Sequence, residues 1–447
     1  SMFGRVNYDV KGKYLFSASM RRDGSSRFGI NKKYGTFPSA SVGWLASEES
    51  FFPKSDNFSF MKFKAGYGVT GNNNIGDYTQ TTTLGPTNYV FSGALVPGLS
   101  INNLGNPDLT WETSKQLDLG LEVSLFKSRV SLRYDFYDKR TDGMLYQISI
   151  PFSSGYSSIR YNVGEFKMWG HEFQINTKNL VGDLKWDTSM NFSFLDNKVL
   201  SLQDNTPIGG VNKYNDFNRT EVGGRIGDLY GYVFDGVYMN QQEFDSQPKH
   251  ATSAVGTARM KDINGDGKID GNDRTFLGNS SPKFLYGITN TVSYKNFDFS
   301  MTMSGQTGNK IMNVNMQNSQ NLDGIFNIET DMMNRWRSPE NPGNGKVPRT
   351  LSNTTELYRL GNSNWVFAGD YLTIRNISLG YTLHFDSKYL IKSARLYFNA
   401  NQVYVFTKYP GQNPEVNDTR DNQTTAGQDN GSYPVPRTLS IGTNINF

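Results

Sequence analysis

From Gln116 to Leu125 the chain alternates without a break. Leu117, Leu119, Leu121, Val123 and Leu125 share one parity, while Asp118, Gly120, Glu122 and Ser124 share the other. Residues 126–129 read as a turn, after which Val130, Leu132, Tyr134 and Phe136 resume opposite Ser131, Arg133, Asp135 and Tyr137. Successive side chains leave opposite faces of a pleated strand, so this period of two predicts a hairpin with one apolar and one charged face. The unit returns along the chain. His171, Phe173 and Ile175 lead to a turn at 181–183 and then to Trp186, Met190, Phe192 and Phe194. Phe284, Tyr286 and Ile288 lead through Lys295-Asn296 to Phe297, Phe299, Met301 and Met303. Leu379, Tyr381 and Leu383 precede a turn around Ser387, and Leu396, Phe398 and Ala400 follow it. Tyr14–Met20, Phe63–Val69 and Leu439–Phe447 alternate in the same way, and no helical period is sustained. The chain is predicted to be all-β.

The spacing of these units narrows the class. Short turns at 126–129, 181–183 and 295–296 are separated by long polar segments at 70–110, 200–225, 240–282 and 305–370. A soluble sandwich has strands of about 5–6 residues and no such asymmetry. A transmembrane antiparallel β-barrel has tilted spans of ~9–11 residues, short periplasmic turns and long external loops. Aromatic residues are expected at strand ends, with Tyr134, Phe136 and Tyr137, Tyr294 and Phe297, and Tyr404 and Phe406 at the bilayer boundary.

Composition fits this picture once the lumen is counted. Only 36% of the 447 residues are hydrophobic, and no run approaches the ~18 apolar residues of a helical span. A barrel needs no such run, because every second residue faces a polar interior. Cysteine is absent, which excludes a disulfide framework, thiolate metal sites and a cysteine nucleophile. The net charge of +4 is too small to suggest nucleic acid as a partner.

One segment carries metal-binding chemistry. Residues 262–273 read DINGDGKIDGND, the pattern of an EF-hand-type calcium loop. Asp262, Asn264, Asp266 and Asp270 supply hard oxygens, Lys268 a backbone carbonyl, and Asp273 the closing acid where such loops favour Glu. Flanking helices are not predicted, so a structural Ca²⁺ with no switching role is the expectation. A solvated Asp/Asn/Gly turn is the plain alternative. Catalysis finds little support, and no enzyme is predicted. His171, His250 and His384 are too far apart to share zinc, and no nucleophile elbow or phosphate loop occurs. Glu48-Glu49 reads as a solvated turn, and residues 21–27 as the polar head of an outer loop.

Nine ordered stretches bear a family resemblance. They are YLFSASMRRDGSSRFG (14–29), FPSASVGW (37–44), NPDLTWETSKQLDLGLE (106–122), YDKRTDGMLY (137–146), GDLYGYVFDGVY (227–238), DINGDGKIDGNDRTFLGN (262–279), GDYLTIRNISLGYTL (369–383), FTKYPGQNPEVN (406–417) and YPVPRTLSIGTNINF (433–447). The chain resembles the SusC/RagA-type TonB-dependent outer-membrane transporters of Gram-negative, Bacteroidetes-like bacteria. The resemblance implies a barrel of about 22 strands closed by a plug. It also implies a SusD-like surface lipoprotein as lid, TonB as energy source, and oligosaccharides or peptides as cargo. Family members are much longer, so residues 1–447 are expected to be the C-terminal part of the barrel, with ~12–14 strands. The plug, the TonB box and the N-terminal strands would lie outside it. The terminal strand ending on Phe447 fits the address read by the barrel-assembly machinery. Loop aromatics such as Tyr89 and Phe91, or Tyr214 and Phe217, would pack against the lid or stack on sugars. A non-transporting surface adhesin or carbohydrate-binding β-protein is the alternative, and it would bury the apolar faces between sheets.

Overall fold

A computed structural model describes residues 1–447 except 54, 151, 157, 210–215, 323–326, 351–358, 387–389 and 417–422. The chain divides into two compact units, Ser1–Asn179 with Ser189–Thr206, and Leu180–Thr188 with Pro207–Phe447. The turn around Ser387 and Tyr214 lie outside the described residues.

Eight wall strands begin in the first stretch of the chain. They are β1 (Met2–Val10), β2 (Tyr14–Gly24), β3 (Tyr34–Leu45), β4 (Phe58–Asn72), β5 (Glu112–Leu125), β6 (Val130–Ser149), β7 (Ser158–Val181) and β8 (Leu184–Ser201). The second unit adds β9 (Phe284–Tyr294), β10 (Phe297–Thr307), β11 (Tyr371–His384), β12 (Ser393–Thr407) and β13 (Thr438–Asn446). The total of thirteen described wall strands falls within the expected range. Neighbours in sequence pair antiparallel, for example Leu121↔Tyr134 in β5–β6 and Phe299↔Leu379 in β10–β11. Strand lengths run from 9 residues in β1 to 24 in β7, well beyond sandwich strands.

Connections alternate as the sequence predicts. Residues 11–13, 126–129, 182–183 and 295–296 close hairpins at one end. Phe126, Lys127 and Ser128 all take positive φ in their turn, as does Lys295 in the two-residue turn Lys295-Asn296. A positive φ in such tight loops matches the twist of the strands they join. At the other end, 73–111, 202–283, 308–370 and 408–437 are long. The expected pair of loops 200–225 and 240–282 is one connection, because strands 228–231 and 234–237 belong to small loop sheets rather than to the wall.

The apolar faces of the wall are exposed, not sandwiched. Phe16 is 47% exposed, Leu119 43%, Leu379 49% and Ile441 77%. Tyr294 and Phe297 border a turn and Tyr404 and Phe406 close β12, as expected, but Tyr134 and Phe136 sit in the interior of the 20-residue β6. The buried cores are built mainly from connection residues instead, with Phe37 of β3 joining one of them. In the second unit Tyr232, Ala258, Met260, Ile269 and Leu360 form one cluster. Phe217, Leu229, Met312 and Trp365 form another. In the first unit Phe28, Phe37, Ile75, Leu109 and Trp111 form a third.

Candidate functional site

The face opposite the exposed leucines carries a charged ladder. On β4, β5 and β6, Lys62, Glu122 and Arg133 stand directly opposite one another, and the next row aligns Lys64, Gly120, Asp135 and, on β7, Glu172. Opposite charges at neighbouring positions attract in the first row, whereas Asp135 and Glu172 in the second are like charges directly opposed and depend on Lys64 and Arg133 beside Asp135. The Lys64 ammonium reaches Glu122 at 2.7 Å and Asp135 at 3.3 Å, and Arg133 donates to Asp135 at 2.6 Å. Lys64 can reach across β5 because Gly120 has no side chain. A Cβ there would fall 2.6 Å from Asp135 Oδ1 and 2.7 Å from Lys64 Cε. Lys62, Lys64, Arg133, Asp135 and Glu172 line a cavity of about 840 Å³ together with Gln116, Asp118 and Tyr137.

The second unit repeats the device with different residues. Arg395 on β12 forms a two-point pair with Asp298 on β10, Nε to Oδ1 at 2.9 Å and Nη2 to Oδ2 at 2.5 Å. The intervening strand supplies Gly380, where a Cβ would meet both partners at 2.5 Å. Higher on the same wall the register skips Arg375 against both neighbours. Such a bulge re-aims a side chain. Arg375 donates to Ser304 at 2.7 Å and to Glu415 of the 408–437 connection at 2.7 Å. Ion pairs this exposed contribute about 0–1 kcal/mol each, so the lumen charges do little for stability. What they offer is a polar, hydrogen-bonding surface.

The predicted cation loop is ordered at both ends. Ile269 is buried in a loop core, Asp273 is fully buried, and Asp270 and Asp273 form a capping box. Asp262 accepts from the amides of Gly265 at 2.6 Å and Gly267 at 2.9 Å. Those amides, Gly267 foremost, hold its carboxyl below the usual carboxylate range. Asn264 accepts from Asp266 and Asp266 from Lys268, while Asp273 accepts from Ile263 and Asp270. Asp262 and Asp273 are thus brought to one loop, and the all-oxygen donor set suits a hard cation. In this conformation the oxygens serve the loop's own amides, and among the described residues no three or more His, Asp or Glu side chains gather around a common point.

The remaining sequence candidates separate cleanly. His171 is exposed between Tyr134 and Phe136, with Nδ1 2.9 Å from the Tyr134 hydroxyl. His384 ends β11 and is exposed, and His250 sits in a connection beside Thr252. Glu49 is not the solvated turn residue expected. It accepts from Tyr14 at 2.5 Å, Lys13 at 3.1 Å and Trp44 at 3.3 Å. Arg27 pairs with Asp77, which ties residues 21–27 to the next connection. Tyr89 and Phe91 lie on a loop hairpin, Thr83–Phe91 with Ala94–Asn103, and are exposed, whereas Phe217 is buried in a loop core. The Gly120 and Gly380 gaps were missed. A mid-strand glycine flanked by charged alternation is the signal that marks them.

The family described as TonB dependent receptor-like, beta-barrel matches residues 1–318. TonB-dependent receptor P3 of Formosa agariphila is 36% identical over 460 residues, covering 100% of this chain and 45% of the relative. TonB-dependent receptor SusC of Bacteroides thetaiotaomicron is 28% identical over 467 residues, covering 100% of this chain and 43% of the relative. A solved structure of the RagAB peptide transporter shares the fold with a TM-score of 0.85 at 24% identity, covering 100% of this chain and 47% of that one. The chain spans about half the length of the curated relatives it matches.

Proposed function

The chain belongs to the TonB-dependent receptor-like β-barrel family, and from that premise we propose that it forms the C-terminal wall and outer loops of a Gram-negative outer-membrane importer. The observation that carries this is the pairing of an exposed apolar face with a charged inner face on the same strands. A water-soluble adhesin would have to hide Leu119 and Ile441 from water, and here both are exposed. Import would be driven through TonB and would serve oligosaccharides or peptides in a Bacteroidetes-like cell. The fold shared with a peptide transporter supports the peptide part of that range. A SusD-like lipoprotein would cover the outer loops, with the uncharged hairpin 83–103, bearing exposed Tyr89 and Phe91, facing it.

The test uses the full-length receptor. Cells expressing it should accumulate a labelled peptide or oligosaccharide mixture only with TonB intact, and an affinity tag on the receptor should retain a surface lipoprotein. Uptake that persists without TonB would overturn the import proposal. The cation is a second, separate proposal: Asp262, Asn264, Asp266, Asp270, Asp273 and the Lys268 carbonyl would hold a structural Ca²⁺. Metal analysis of the receptor before and after Asp266→Ala should show one equivalent lost. Equal metal content in both would remove it.

A further inference from the structure

We propose that Pro86 and Pro97 close both edges of the outer hairpin 83–103 to strand addition, which leaves its two faces as its open surface. This rests on the placement of that hairpin among the outer loops. On every other count the hairpin invites pairing. No charged residue occurs from Tyr78 to Pro107. Leu84, Val90, Leu95 and Leu99 are exposed on one face, and Tyr89 and Phe91 on the other. Among the described residues its sheet has only two strands, so both are edges. The arm also stands on a fixed base, because Ile75 and Leu109, before and after it in the chain, are buried in one core. An uncharged, apolar, exposed edge is a template for another strand. A second copy of the hairpin is the strand nearest at hand, since receptors in one membrane present it at the same height.

The register shows where the two prolines fall. Ser92 and Gly93 both take positive φ, the mark of a two-residue type I′ turn. Phe91 and Ala94 flank that turn as partners. In such a hairpin the flanking pair exchanges both of its hydrogen bonds, and every second pair beyond it does the same. Tyr89↔Val96, Thr87↔Gly98 and Gly85↔Ser100 therefore bond inward. The alternate positions turn their backbone groups to the outer edges. They are Leu84, Pro86, Asn88 and Val90 on one strand, and Leu95, Pro97, Leu99 and Ile101 on the other. Each edge thus carries one proline at an outward position. The hairpin loses no internal bond, because the N–H that proline lacks would have pointed away. An incoming strand loses a donor and meets a ring in its path. The longest unbroken run of outward donors is two on either edge, Asn88 with Val90 and Leu99 with Ile101. Charge blunts many natural edges, and here proline does.

The experiment uses the full-length receptor alone, in detergent. Light scattering after size exclusion gives the mass of wild type, of Pro86→Thr/Pro97→Thr and of Pro86→Lys/Pro97→Lys. The threonine variant restores both donors and should form species larger than wild type, with self-association about tenfold tighter. The lysine variant restores the donors too but puts charge on each edge, and it should keep the wild-type mass. Association of neither variant, or of both alike, would overturn the proposal. Heat-modifiable migration on a gel reports separately on the barrel, and neither readout depends on cargo or TonB. If the threonine variant loses that migration, amide exchange in the wild type still decides. The amides of Asn88, Val90, Leu99 and Ile101 should exchange about tenfold faster than those of Thr87, Tyr89, Gly98 and Ser100. Equal protection of the two sets would mean that the edges are already paired, and would reject the proposal.

Discussion

The wall and the loop layer of the second unit use the same residue types in opposite ways. On β13, Leu439 is 63% and Ile441 77% exposed, whereas Leu229 and Trp365 in the loops are fully buried. The wall keeps its shape through the backbone ladder and lets its leucines meet lipid. The loops lack a long ladder and hold their shape by burying apolar side chains around polar residues such as Asn218, which donates to Gly227 and Ala426 and accepts from Gln428. The outer loops are thus a folded layer with its own core.

The sharpest way to separate the two regions is to damage each alone. Trp365→Ala should cost the loop layer about 3–5 kcal/mol. Protease nicking within 207–283 and 308–370 should rise while heat-modifiable migration persists. In the wall the sign of hydrophobicity reverses. Leu121→Arg, near the middle of the outward span, should cost ~2–4 kcal/mol, and Glu122→Gln on the inner face should be mild. Urea unfolding of the receptor from vesicles measures both, and equal costs would break the contrast.

Smaller effects probe the glycine gaps. Gly380→Val and Gly120→Val should each cost about 1–3 kcal/mol by displacing the ion pairs that cross them, with Gly380 the worse because both its partners are held at two points. The same unfolding assay should rank them in that order. The smallest effect is in pH, within the loop layer. Burial pushes the Asp228 carboxyl up. Its folded value then lies above its unfolded one, and the stability it contributes is lost as pH rises through that folded value. Asp262 is shifted down, so its contribution is lost as pH falls through its lowered value. Protease protection followed from neutral pH into the carboxylate range should change slope in opposite senses in Asp228→Asn and Asp262→Asn.

The wall was legible because a barrel strand repeats one rule every two residues. Leu117 to Leu125 announces its faces without knowledge of any partner. The loop core was not legible, because Phe217, Leu229, Met312 and Trp365 come from four segments with no shared period and meet only in three dimensions. Glu49 escaped for a similar reason: its partner Tyr14 is 35 residues away. The acidic loop at 262–273 shows the converse case. The motif gave the donors, but their engagement by Gly265 and Gly267 is a backbone property that composition does not carry.

The skipped residue on β11 has a consequence for how that strand could be edited. Ile374 and Ile377 pair with Met303 and Met301, themselves two apart, while Arg375 is matched by nothing on either side. Excising Arg375 would let β11 count in step with β10 again, because Ile374 and Asn376 already pair with the adjacent Met303 and Thr302. The cut should therefore close the ladder toward β10 and widen the bulge toward β12, where Gln402 and Val403 would face nothing. The bidentate reach from Ser304 to Glu415 would be gone, while the final connection would keep the Tyr409–Asp429 bond and the contacts of Ala426 and Gln428 with Asn218.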